Sequence, residues 1–295
     1  SSQITYAKEL GMTVVVTDHH EVPFTDTEEG RTYILPPADA IINPKQADCT
    51  YPNKNICGAV VAMKLVFALY EKYRLPEEEK EDFLEPAAIA TVGDIMDLQG
   101  ENRILVKEGL ARLPFTKNKG LKALIRAIGL EDQKITSYDI GFRLGPCINA
   151  SGRLDTAMRS LALLQSEDEE EAAKLAGDLK ALNDSRKALT EKETEEAYKL
   201  IESSDLKNDR VMVVFLPECH ESLAGIIAGR IREKYHKPTF VLTRGEKSLK
   251  GSGRSTENYS MYEELVKCDS LLVQYGGHPM AAGLSLEEEN GGKFR

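Results

Sequence analysis

At 295 residues the chain is long enough for two domains, each with a core of its own. Its hydrophobic fraction of 41% and charged fraction of 29% fit a soluble globular protein, and no apolar run approaches the length of a membrane span, so no membrane partner is expected. The formal net charge of −10 argues against a uniformly basic, nucleic-acid-coating surface, although much of the acid lies in residues 167–205 and leaves local basic residues free to line a groove.

The five cysteines are odd in number, scattered and never in Cys-x-x-Cys spacing, which fits a reduced, cytoplasmic protein with free thiols. Ser1 is not an initiator methionine, the first strand arrives almost at once, and residues 287–295 read as a helix cut off soon after it starts. The expectation is a fragment truncated on both sides.

A short helical stretch at residues 6–10 and a Gly11 turn lead into the β-branched apolar run 12–16, expected to be a buried strand. It ends in Asp18-His19-His20, three polar ligands at the carboxyl edge of a sheet, where open α/β folds bind ligands. A carboxylate beside two imidazoles suits a divalent metal or a phosphate; histidines that only cap a strand end are the plainer alternative. Residues 40–43 read as a second strand closed by Pro44, and 58–73, 87–92 and 101–113 as helices. Asp94 ends the second of these in a stretch without Lys or Arg, and a buried carboxylate of that kind needs a cation or a hydrogen-bond network. Alone it reads as a satisfied turn residue; beside the first cluster it is a candidate metal ligand.

In residues 142–153, Gly145 and Pro146 are expected to forbid a regular helix, leaving a loop flanked by Arg143 and Arg153. The loop reads equally as a phosphate cradle or as a tight turn with surface arginines. Residues 167–204 contain no Pro and a single Gly, and read as one long or once-broken helix bridging two domains, with a solvated acidic helix in a bundle as the alternative. A smaller α/β domain follows, with strands at 210–215, 238–242, 249–253 and 271–274 and helices at 223–235 and 261–266. Within it, Gly251-Ser252-Gly253-Arg254-Ser255 has the composition of an anion site. Gly276-Gly277-His278-Pro279 is expected to present His278 from a rigid turn, as a catalytic or phosphate-binding histidine rather than a core one.

The blocks VVVTDHHEVP, TVGDIMDLQGENRILVKEGL, RLGPCINASGRLDTA, GSGRSTENYSMYEEL and VQYGGHPMAAGLSL, in this order, resemble the DHH phosphoesterases, and within them the single-stranded-DNA-specific exonucleases. The resemblance implies an α/β fold: a partial parallel-sheet DHH domain over residues 1–165, a linker helix over 166–206, and a smaller α/β DHH-associated domain over 207–295. It implies a cytoplasmic, monomeric hydrolase that degrades single-stranded DNA 5′-to-3′ in DNA repair and recombination, using Mn²⁺ or Mg²⁺ at a two-metal site. A single-strand-binding protein and a helicase are the partners it implies. Residue by residue, His19 and Asp94 are implied as metal ligands, His20 as a contact to the scissile phosphate, and Asp18 as the group orienting the histidines. Asn149 and Arg153 are implied to grip the DNA backbone. Ser252, Arg254 and Ser255 are implied to hold nucleotide phosphates, and His278, with Gly276 and Gly277, to approach the scissile phosphate.

Two departures stand out. The family's acidic strand motif and further Asp before Asp-His-His are missing, and so is its C-terminal oligonucleotide-binding barrel. The metal site is therefore expected to be incomplete and this polypeptide inactive alone. The competing readings are a small-substrate DHH phosphodiesterase acting on oligonucleotides or cyclic dinucleotides, and a non-catalytic DNA-binding scaffold of the same fold.

Overall fold

Helix α1 (Ser2–Glu9) ends at Gly11, whose φ of +77° turns the chain toward strand β1 (Val15–Thr17). The computed structural model describes residues 2–27, 30–154 and 156–295; Ser1, and Asp155 of the RLGPCINASGRLDTA block, lie outside the described residues. The chain forms two units, residues 1–149 with 159–180, and residues 150–158 with 181–295.

In the first unit β2 (Phe24–Thr27) and β3 (Gly30–Tyr33) make an antiparallel hairpin, and β4 (Ala40–Ile42) runs parallel to β1, with Val15 opposite Ala40 and Thr17 opposite Ile42. The expected buried strand at 12–16 is therefore shorter, and it is not buried: Met12 and Val15 are exposed. Among the described residues β1 pairs with β4 alone, so its apolar side chains find little to pack against.

Helix α2 (Gly58–Tyr73) occupies the expected span, and Val60, Val61 and Met63 pack with Ala87 of α3 (Leu84–Gly93). Helix α4 (Gly100–Arg112) lies against α3 through Gly109, where a Cβ would stand 2.3 Å from that of Ala88. Helix α5 (Lys119–Ala127) is capped by Asn118, whose side chain accepts from the Leu121 N–H, and it buries Leu121, Leu124 and Ile125.

The region expected to be a loop is helical. Helix α6 (Ser137–Asp139), opened by a capping box of Thr136 and Asp139, passes through a π-helical turn (Ile140–Leu144) into α7 (Gly145–Leu154). The π turn re-registers the hydrogen bonds just before Pro146, and a proline in the first turn of the new α segment lacks only an N–H that has no helical partner there. Helix α8 (Met158–Gln165) follows, and then α9 (Glu169–Glu202), unbroken through Gly177. Asp168 accepts from the Glu171 N–H at 2.8 Å, and the acidic run at Glu169, Glu170 and Glu171 occupies the helix N-terminus, where the macrodipole favours it. Its buried stripe runs through Ala172, Ala176 and Leu179 and continues through Asn183, Thr190, Glu193, Thr194 and Ala197, while Leu189 is exposed.

In the second unit five strands order β5-β6-β7-β9-β8: β5 (Met212–Phe215), β6 (Thr239–Arg244), β7 (Leu249–Arg254), β8 (Gln274–His278) and β9 (Ala281–Leu286). Helix α10 (Glu221–Tyr235) crosses between the parallel pair β5 and β6, and α11 (Met261–Lys267) precedes β8; α12 (Gly291–Phe294) closes the chain. Alternation assigns the faces. Met212, Val214 and Val241 join Ile227 and Ala228 of α10 in one core, while Val213, Phe240, Leu242 and Leu284 join Met261 and Leu265 of α11 in the other. Burial on both faces accounts for the unbroken apolar runs of β5 and β6. The strand expected at 271–274 starts at Gln274, because Leu271 lies in a 3₁₀ turn after α11. Among the described residues no helix is long and apolar enough to cross a membrane, and all five cysteines are free thiols.

Candidate metal centre and phosphate-binding surface

Asp18 follows β1 directly, and its N–H donates to the Ile42 carbonyl at 2.9 Å, carrying the β1–β4 pairing one residue further. Its Oδ1 accepts from the N–H groups of His19 and His20 at 2.7 and 3.2 Å and from His20 Nδ1 at 2.7 Å. Partial burial pushes the Asp18 carboxyl up, but the hydrogen bonds from His20 and His19 outweigh it and hold the group below its ordinary value. An ionised carboxylate only accepts, so the contact with Asp18 places a proton on His20 Nδ1 and turns Nε2 away from the carboxylate.

His19 packs beside His20 with ring centroids 4.4 Å apart, and its ring rests on the first residue of α2: a Cβ at Gly58 would stand 3.2 Å from His19 Cδ2. His19 Nδ1 lies 3.5 Å from Asp94 Oδ2. One ligand atom from each of Asp18, His19 and His20 lies within 4.8 Å of the others. Asp94 follows the last turn of α3 and is exposed, so the expectation of a buried carboxylate fails. What distinguishes Asp94 is its approach to His19.

Two contacts hold α2 and the Asp94 loop in register. Cys57, which precedes α2, has its Sγ 3.6 Å from Oγ1 of Thr91 in the last turn of α3. Asn102 is buried and donates Nδ2 to the carbonyls of Asn55 (2.7 Å) and Asp97 (3.0 Å), tying the segment before α2 to the loop after Asp94. Glu101 alongside it accepts from Tyr51 and Lys64. In that loop Ile95 has φ +56°, the left-handed region that a β-branched residue rarely enters.

The second unit gathers a different set. Arg254, at the end of β7, donates Nη1 to the Gly253 carbonyl (2.7 Å) and to Ser252 Oγ (3.3 Å). Its guanidinium lies on α10 where Gly225 leaves room: a Cβ there would stand 2.7 Å from Nη2 and 2.8 Å from Ser252 Oγ. Arg153, in the last turn of α7, donates to the Ser222 carbonyl at 2.9 Å, and Ser222 Oγ donates to the Arg153 carbonyl at 3.0 Å. His220 Nδ1 lies 2.7 Å from Ser222 Oγ. Burial, and to a lesser degree the charges of Arg153 and Arg232, pulls the Arg254 guanidinium below its ordinary value.

The sheet register adds His278. Arg254 pairs with Ala281 and Ala281 with His278, so the three form one row across β7, β9 and β8, and Ser252, Gly283 and Gly276 form the next row on that face. The face is the one α10 covers over Ser252 and Arg254, while Gly253 and Ala282 point the other way, toward Phe240 and Met261. Beyond the helix, Gly276 and His278 are exposed. His278 thus projects from the end of a strand, not from a turn, and its Nδ1 accepts from the Met280 N–H at 3.3 Å. Gly277 has φ +154° and no space for a Cβ, which would lie 2.4 Å from the Ala281 carbonyl oxygen. Ser255 stands apart: it is buried and donates Oγ to the Tyr259 carbonyl. Asn149 is exposed on α7 in the first unit.

Comparison with known proteins places the DHH family N-terminal domain on residues 1–91 and the DHHA1 domain on residues 208–295. The single-stranded-DNA-specific exonuclease RecJ of Escherichia coli is 38% identical over 304 residues, covering 97% of this chain and 51% of that protein. RecJ of Thermus thermophilus in complex with Mn²⁺ matches at a TM-score of 0.83 with 35% identity, over 99% of this chain and 41% of that one. The exonuclease RecJ bound to manganese matches at a TM-score of 0.79 with 34% identity, over 99% of this chain and 70% of that one. The chain belongs to the RecJ family.

The RecJ-family chain spans about half the length of its Escherichia coli relative. The resemblance drawn from the five motif blocks stands, as does the architecture of a DHH-type domain joined by helices to a smaller α/β DHHA1-like domain. Sequence reasoning missed Gly58, Asn102, Ser222 and Gly225. Asn102 sits inside the GENRILVKEGL block, which reads as a family marker and gives no sign of a clamp. Gly225 belongs to the small-residue pattern of α10, whose partner, Arg254, only the sheet reveals.

Proposed function

We propose that this chain carries the metal-binding and phosphate-holding residues of an exonuclease that hydrolyses phosphodiester bonds of single-stranded DNA. The observation that carries the reading is the convergence of Asp18, His19 and His20, with Asp94 Oδ2 3.5 Å from His19, at the end of a parallel strand in a RecJ-family chain. Mixed imidazole and carboxylate donors fit Mn²⁺ or Mg²⁺, and the tight grouping of three donors supports that fit. Such an ion, when bound, supplies an activated water and neutralises charge on the phosphoryl oxygens.

The chain's own groups do the rest. His19 and Asp94 serve as ligands. Asp18 fixes the His20 ring and the tautomer that aims Nε2 away from the carboxylate. In the second unit Arg254, Ser252 and Arg153 hold phosphate oxygens, Gly276 leaves the sheet face low enough for a backbone to lie on it, and His278 contacts phosphate from the end of the row. Asn149 adds a backbone contact. In this reading residues 1–165 form the metal-bearing domain, 166–206 the linker helix and 207–295 the phosphate-holding domain. Phosphate contacts of this type position a strand without reading its sequence. The cytoplasm, consistent with five free thiols, is the proposed compartment. The resemblance adds 5′-to-3′ polarity, a monomeric state, and a single-strand-binding protein and a helicase as partners.

Two measurements test the reading. Calorimetry of Mn²⁺ binding to this chain should show His19→Ala and Asp94→Asn each weakening affinity at least about tenfold. The protein carrying the chain should degrade a long single strand in preference to a duplex or a dinucleotide. Unchanged Mn²⁺ affinity in both variants, or equal cleavage of dinucleotide and long strand, defeats it.

A further inference from the structure

The metal-bearing unit displays a second feature that the ligands above do not use. Tyr138 and Phe142, one helical turn apart on α6 and the π turn, stack with ring centroids 4.7 Å apart and planes inclined by 26°, yet they are 64% and 65% exposed. Aromatic rings of this size are normally the first groups a fold covers. Nearby, Ile95 is 90% exposed and held at φ +56° directly after Asp94. The two sites adjoin through packing: Val92 Cγ1 lies 3.8 Å from where a Gly141 Cβ would stand, one residue from Phe142 and three from Ile95. From there a cavity of about 600 Å³ continues the surface, lined by Leu98 and Ser137 and by three cations, Arg103, Lys107 and Lys134. None of the three is held in an ion pair among the described residues, in a chain whose net charge is −10.

Exposed stacked rings beside unpaired cations, starting at a candidate metal ligand, match the chemistry of a single nucleic acid strand: bases on the rings and phosphates on the cations. We infer that this surface is a binding track for single-stranded nucleic acid, with nucleobases stacking on Tyr138 and Phe142 against Ile95 and the backbone passing Arg103, Lys107 and Lys134. The inference rests on the proposed nuclease function and extends it, because the groups described above engage only phosphate, whereas this track engages bases without selecting among them. An acidic peptide would suit the cations but has no use for a bare pair of stacked rings next to Asp94.

The test is binding without cleavage. Fluorescence anisotropy of the 295-residue chain with a fifteen-residue oligothymidylate in Ca²⁺ is compared with an abasic oligomer of equal length. Tyr138→Ala with Phe142→Ala should weaken oligothymidylate binding about tenfold or more while leaving the abasic oligomer unaffected, since stacking is lost and charge is kept. Tyr138→Leu with Phe142→Leu, which preserves apolar bulk, should show the same selective loss. Lys107→Gln with Lys134→Gln should weaken both ligands and lower the salt dependence of binding. A parent chain that fails to bind oligothymidylate, or ring variants that bind it as tightly as the parent or lose both ligands equally, overturns the inference. Intact selective binding with no hydrolysis by the protein carrying the chain would count against the nuclease reading and leave the track standing.

Discussion

Gly225→Ala separates the fold of the second unit from the anion site proposed for it. The added Cβ would stand 2.7 Å from Arg254 Nη2, 2.8 Å from Ser252 Oγ and 3.3 Å from Arg254 Cζ. Ordinary contacts begin near 3.5 Å, so the guanidinium must withdraw by about 0.8 Å or change rotamer. Both obstacles are ends of flexible side chains, and the move gives up the 3.3 Å bond to Ser252. Against this, an alanine inside a helix stabilises by about 0.8–1 kcal/mol over glycine. Stability should therefore stay within about 1 kcal/mol of the parent. Binding of a phosphate should suffer more, because a charge-assisted bond is worth about 1.5–3 kcal/mol, roughly ten- to a hundredfold in affinity. Calorimetric titration with 5′-dTMP, beside urea unfolding, reads both quantities. Arg254→Ala should cost as much, and the double variant no more than either, since both changes remove one interaction. Unaltered dTMP affinity in Gly225→Ala, or additive losses in the double variant, would refute the placement of Arg254 as the anion-holding group.

Three other outcomes follow from the same geometry. Asn102→Ala removes the buried amide that bridges the carbonyls of Asn55 and Asp97, of which the second keeps the Gln99 N–H, and should cost about 1–3 kcal/mol in urea unfolding, with Mn²⁺ affinity reduced even under conditions where the variant is fully folded. Gly58→Ala puts a methyl 3.2 Å from His19 Cδ2; calorimetry should show Mn²⁺ affinity several-fold weaker, with stability changed by less than about 1 kcal/mol. Burial, and to a lesser degree Asp82, raises the Glu85 carboxyl above its ordinary value, against the hydrogen bond from Thr116. A raised carboxyl favours the folded state below its unfolded value and loses that advantage as pH rises through the folded one. Glu85→Gln, which keeps an acceptor for Thr116, should therefore melt higher than the parent at pH 7, with the gap closing toward pH 4.

Much of this is legible in the sequence because the signals are local. Residues 58–73 announce α2 by apolar spacing, and Asp18-His19-His20 announces a site by chemistry at the end of a strand. The misreadings share a cause: each depends on what lies next to a segment, not within it. Residues 12–16 look buried by composition, yet burial needs neighbours on the faces of the strand. Gly145 and Pro146 look like helix breakers until the π turn before them makes Pro146 a first-turn residue. Asp94 stands out in sequence for a burial it does not have, while the atom that matters, His19 Nδ1, belongs to a residue far earlier in the chain. The partnership of Gly225 with Arg254 is set by which face of β7 lies under α10, and a sequence pattern gives the alternation of a strand but not the identity of its cover.

The pairing of β1 with β4 alone has a kinetic consequence. A strand of three residues held along one edge opens easily, so amide exchange at Val15, Val16 and Thr17 should be fast beside that of β6, which has neighbours on both sides. The segment that presents Asp18 and His19 is then among the softest in its unit. An ion clasped by His19 and Asp94 would rivet the end of that strand to the end of α3, and exchange at those three amides should slow on adding Mn²⁺ while β6 stays as it was. On the proposed reading the cation would be a structural fastener as well as a reagent, and its loss would loosen the strand that is meant to recapture it.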